Sequence, residues 1–69
     1  MKKKYFVNNS AQYNGDHEVH VEGCRWLAMA KDVAYFGEFE SASDALAVAK
    51  MRYAKADGCF FCCNSVHES

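Results

Sequence analysis

Seven residues of this 69-residue chain carry side chains suited to metal ligation or thiol chemistry: Cys24, Cys59, Cys62, Cys63, His17, His20 and His67. Cys59 and Cys62 form C-x-x-C, a spacing that lets two thiolates reach one tetrahedral ion from a tight turn. His20 and Cys24 form H-x3-C, enough chain to leave a strand end and turn back. Two such pairs, separated by a strand and a helix, are a common layout for a structural site. The spacing predicts zinc held by His20, Cys24, Cys59 and Cys62, with His67 and Cys63 as substitute ligands. Two other readings stay open, buried free thiols without a ligand and disulfide or redox chemistry. A thioredoxin-like site would place its C-x-x-C at a helix N-terminus to lower the thiol pKa, whereas here the motif follows a helix.

The histidines have structural readings of their own. His17 shares parity with Val19 and Val21, which makes it a half-buried cross-strand neighbour of Tyr13 before it is a ligand. His20 shares parity with Glu18 and Glu22 and would face water on a regular strand. Its ligation therefore requires the strand to end or bulge nearby, as Gly23 allows.

The elements that must position these residues follow from periodicity. Tyr5, Val7, Ala11 and Tyr13 keep odd spacing, as do His17, Val19 and Val21, with Asn14, Gly15 and Asp16 between the runs, so the pattern predicts a β-hairpin. A three-residue loop pairs Tyr13 with His17, Ala11 with Val19 and Asn9 with Val21, which gathers apolar residues on one face; Gly15 or Asp16 then takes the left-handed conformation. Val33, Tyr35, Gly37 and Phe39 predict a third strand, with Phe36 on its opposite side. Ser41 offers an N-cap with Asp44 near the positive end of the dipole. The residues from Ala45 to Ala56 then favour a helix of roughly four turns, ended by Gly58. Its apolar stripe is Ala45, Leu46, Ala49, Tyr53 and Ala56. The fold class expected is α+β: an N-terminal β-hairpin and a third antiparallel strand packed on one C-terminal helix, ending in a cysteine knuckle at residues 59–63.

Composition bounds the function. A chain of 69 residues with 51% hydrophobic and 25% charged residues has the makings of one small core, and we expect residues 1–69 to form a single domain. Its net charge of −1 supplies no field that would draw it to nucleic acid or to an anionic membrane. The one basic run, Lys2 to Lys4, reads as a solubilising tail. Asn8, Asn9 and Ser10 interrupt any signal-like apolar segment, and no stretch approaches the ~20 apolar residues of a membrane span. The expected compartment is the cytoplasm, where thiols stay reduced, which favours metal over disulfide.

The order of H-x3-C, an aromatic strand ending in Phe39, Glu40 and Ser41, a helix carrying Ala45 and Ala49, and then Cys59-x-x-Cys62 resembles the small Ada-like zinc-binding domains. These are related to the metal-binding domain of the methyl phosphotriester repair protein, and the resemblance covers roughly residues 20 to 62. It implies a zinc tetrad and, more distantly, a DNA-associated setting. The chain is also similar to short bacterial proteins with a comparable Asn-Gly-Asp-His-Glu-Val-His segment and Gly-Cys-x-x-Cys end. The function expected is that of a non-enzymatic domain with a structural zinc site, a monomer or weak dimer that binds an unknown protein partner; Trp26 and Phe36 read first as a lid on the core and second as a surface for that partner. A nucleic-acid-associated zinc module and a metal-free domain with buried thiols are the alternatives.

Overall fold

The computed structural model describes residues 1–68. Two strands open the chain, β1 (Lys3–Asn8) and β2 (His17–Val21), which pair antiparallel. A short helix α1 (Arg25–Met29) leads to β3 (Val33–Phe39), which pairs antiparallel with the other edge of β1. The helix α2 (Ala42–Arg52) returns the chain to β4 (Ala56–Gly58), which lies parallel to β2, and a single 3₁₀ turn at Asn64–Val66 follows. The result is a four-stranded mixed sheet in the order β3-β1-β2-β4, with α2 on one face, an α+β architecture as expected.

The register of the first hairpin differs from the expected one. Val7, not Ala11, lies opposite Val19, and Tyr5, not Asn9, lies opposite Val21. Residues 9–16 form a long loop instead of a three-residue turn. Polar residues of this loop bond locally: Asn8 Oδ1 accepts from Ser10 N at 3.0 Å and Asn14 Oδ1 from Asp16 N at 2.9 Å. Asn9 N bonds to Asp32 O at 2.8 Å, which holds the start of the loop on the β3 side of β1. Pairing β2 with Tyr5 and Val7 also brings larger buried side chains to the core than Ala11 could. The slip is four residues, an even number, so each side chain keeps its face. Val19 points into the core with Val7, both fully buried, and Gly15 takes the expected positive φ of 93°. Tyr13 is exposed and leaves His17 to another partner: the His17 ring stacks on Tyr53 at 3.8 Å between centroids.

β3 spans the expected residues but changes phase midway. Tyr5 pairs with Gly37 while Phe6 pairs with Tyr35, so Phe36 is an extra, bulged residue. The bulge sends both Phe36 and Phe39 toward the core and Tyr35 to the surface beside Phe6. Phe36 is therefore a lid on the core, as expected first of this ring.

Ser41 caps α2 as expected, its hydroxyl accepting from Asp44 N at 3.1 Å. Ala45 and Ala49 are fully buried and Leu46 and Tyr53 partly so, which is the expected stripe, and small residues there let the helix lie close on the sheet. The helix ends at Arg52 and not near Ala56. Tyr53 leaves the helical path, its hydroxyl donating to Asn9 Oδ1 at 2.7 Å, and three residues on the chain joins β2 as β4. Gly58 thus sits in a strand. Its role is closeness: a Cβ there would lie 2.6 Å from Cys63 O and 2.6 Å from Val66 Cγ2.

Candidate metal centre

Four donors meet on the face of the sheet away from α2. They are His20 Nδ1 and the sulfurs of Cys24, Cys59 and Cys62, all within 4.8 Å of one another. The expected tetrad is the one brought together. His67 is not part of it, since its Nδ1 faces Gly58 O at 2.9 Å and Asp57 Oδ2 at 3.4 Å. Cys63 lies 3.9 Å from the Cys62 sulfur but packs within the apolar core with Val7 and Val19.

Each donor has a local reason for its place. His20 is the outward neighbour of Val19 on β2 and stands opposite Phe6 of β1. The expectation that this face would meet water fails: His20 is 1% exposed, without any bulge in β2, because the chain at residues 24 and 59–62 covers it. Gly23, at φ +87°, makes the turn that returns the chain toward the strand end and puts Cys24 at the start of α1. β4 then delivers Cys59 beside β2, with Cys59 N bonded to Val19 O at 2.9 Å. A tight turn closes the knuckle, Cys63 N donating to Cys59 O at 2.9 Å. Val21 N donates to Cys62 Sγ at 3.4 Å, a contact that favours a thiolate.

The His20 distances match a tetrahedral ion. With metal–sulfur bonds of ~2.3 Å and metal–nitrogen bonds of ~2.05 Å, tetrahedral angles require S···S near ~3.8 Å and S···N near ~3.6 Å. His20 Nδ1 lies 3.7 Å from Cys24 Sγ and 3.7 Å from Cys62 Sγ. The donors are also desolvated, with Cys59 1% and Cys24 9% exposed. All four cysteines of the chain are free thiols. The residues fit a soft or borderline divalent ion, for which three sulfurs and one imidazole are an ordinary donor set.

The electrostatics point the same way. Burial pushes the Cys59, Cys62 and Cys63 thiols up, with neighbouring thiols adding to the effect. Burial also acts to raise Cys24, but the Cys62 side chain and the Leu27 and Trp26 amides at the start of α1 outweigh it, and its pKa falls below the ordinary value. Several thiolates crowded in a buried pocket repel one another, and a bound dication is what makes full deprotonation favourable. Burial lowers the His20 pKa, which keeps its imidazole neutral, the form that ligates.

Glu18 is the site residue that periodicity alone concealed. As an outward residue of β2 it reads as a solvated charge, yet its Oε1 lies 3.6 Å from His20 Nε2. A carboxylate there favours the tautomer with the proton on Nε2 and the Nδ1 lone pair directed at the sulfurs. The signal available in the sequence was the i, i+2 spacing of Glu18 and His20 on one strand face.

Searches against family models, curated proteins and solved structures found no match to this chain. Among the described residues, no helix is long and apolar enough to cross a membrane.

Proposed function

We propose that the chain is a zinc-stabilised, non-enzymatic module whose site is structural. The observation that carries this reading is the largely desolvated Cys3His donor set, within 4.8 Å throughout and with His20 Nδ1 at 3.7 Å from two of its sulfurs. Zinc is the ion chosen because three thiolates and an imidazole select it over the harder cations and it imposes no competing geometry. Four protein donors fill a tetrahedral shell and leave no position for a substrate, which favours a structural over a catalytic role. The pairs His20/Cys24 and Cys59/Cys62 are also the residues on which the resemblance to Ada-like zinc domains rests, so that relationship belongs to the same reading. Its biological output is binding of another macromolecule, for which the exposed rings of Trp26, Phe60 and Phe61 on the zinc side provide surface.

Elemental analysis of the purified, reduced protein tests the reading together with melting curves in chelator and in reductant. We expect one zinc per chain, a large fall in melting temperature with chelator and none with reductant. Reduced protein that is folded, metal-free and indifferent to chelator overturns the reading.

A further inference from the structure

Beside the donor tetrad the surface opens into a cleft of about 370 Å³. This is within the range of small-ligand sites, ~300–1,000 Å³. His20 and Cys59 form part of its lining, the indole of Trp26 and the ring of Phe61 form an aromatic wall, and Glu18 is its one formally charged side chain. Trp26 and Phe61 are in contact, 5.4 Å between centroids at 34°, so the two rings form one aromatic patch in the lining. No lysine or arginine lines the cleft. Arg25 approaches the Trp26 ring at 5.9 Å from outside that lining.

We infer that this cleft binds an alkylammonium group, its charge held between the Glu18 carboxylate and the Trp26–Phe61 faces. The inference rests on the zinc reading in one respect. A dication with three thiolates and a neutral imidazole has a formal charge of about −1, and that anionic centre borders the cleft through Cys59 and His20. Two negative centres and two aromatic rings in one lining make a site for a cation on an apolar stem: the carboxylate attracts the charge, and electron-rich rings stabilise it without hydrating it. A neutral ligand of the same shape would gain only the apolar contact. An anionic ligand would meet repulsion from Glu18 and from the thiolate centre together. The ammonium reaches the cleft either as a free small amine or as the lysine side chain of a partner protein, and the chemistry of recognition is the same.

Trp26, the chain's single tryptophan, supplies the readout, since its indole is part of the cleft wall. Full-length protein, with its zinc content measured in each sample, is titrated with n-butylammonium, with lysine blocked at both backbone ends, and with equally blocked norleucine, following Trp26 emission and amide chemical shifts. We expect at least one of the two ammonium probes to bind ten-fold or more tightly than norleucine. Binding of blocked lysine assigns the site to a protein partner, and binding of butylammonium alone assigns it to a free amine. Glu18→Gln should weaken ammonium binding at least five-fold. Because Glu18 also faces His20, Phe61→Leu serves as the second variant: Phe61 is largely exposed and remote from the core, so this protein keeps its zinc and its melting temperature while losing affinity several-fold. Zinc-loaded protein that ignores both ammonium probes, or binds norleucine equally, overturns the inference and leaves the zinc reading intact. Protein that elemental analysis finds without metal overturns the zinc reading, and the cleft inference with it.

Discussion

At the scale of single residues, adjacent cysteines are placed differently. Cys62 faces the donor cluster with His20 Nδ1 at 3.7 Å, while Cys63 is buried in the apolar core. We therefore expect Cys59→Ser to abolish metal binding and cooperative unfolding together, since zinc contributes on the order of 10 kcal/mol to the folding of small metal domains. Cys63→Ser keeps the metal and a cooperative transition, and costs about 1 kcal/mol for a hydroxyl in an apolar setting. Bound zinc and calorimetric melting, measured on both variants, check the pair. His20 sets the pH dependence. Burial depresses its folded-state pKa below the ordinary 6.5, so in the unfolded chain it gains a proton at a higher pH than in the folded one. Stability is then full above that value and declines as pH falls below it; proton competition for the zinc ligands acts in the same direction. A melting temperature unchanged from pH 7.5 to pH 5 would contradict this. The convergence of His20, Cys24, Cys59 and Cys62 was legible in spacing alone, because C-x-x-C and H-x3-C constrain where thiols and imidazole can go. The burial of His20 was not, because alternation along β2 describes one face as core and says nothing of a covering laid over the other by residues 24 and 59–62.

At the scale of elements, periodicity located β2, β3 and the start of α2, and failed where a side chain or a distant backbone decided the matter. The apolar stripe of α2 was visible, but its end was not, because Tyr53 is drawn off by Asn9 of the 9–16 loop and His17 of β2, both more than thirty residues away in sequence. α1 carries too few residues to show a period, and β4 is three residues long. Gly58 looked like a helix stop and is instead a contact point between β4 and the knuckle. Gly58→Ala forces a methyl group against the Cys63 carbonyl, and we expect a loss of about 1–3 kcal/mol together with weaker zinc binding, measured by denaturation and chelator competition. Leu46 lies at the rim of the α2 contact and is only partly buried. Leu46→Ala should cost about 1–2 kcal/mol, less than a fully buried leucine, and an unchanged denaturation midpoint would mean that this side chain makes no contribution to the core.

At the scale of the whole molecule, the sheet has two different interiors. On one face α2 seals an apolar layer around Tyr5, Val7, Val19, Ala45 and Ala49; on the other, α1 and the knuckle enclose the donor tetrad. β2 supplies residues to both, Val19 to one and His20 to the other, so neither layer can move without the other. The apolar layer is thin, with alanines where larger domains place leucine, and we expect stripping of the metal to raise amide exchange at Val19 and Val21 as well as at residues 59–63, which hydrogen exchange before and after chelation would show. The outermost position of β3 has a separate consequence. A sheet margin is a row of amides and carbonyls that a neighbouring molecule can extend, and uninterrupted margins nucleate fibrous aggregates. The extra residue at Phe36 breaks the regular spacing of that row and tucks an apolar ring inward, while exposed Glu38 places a charge on the strand. The same irregularity that decides which aromatic fills the core thus makes the rim of the sheet a poor template for self-stacking.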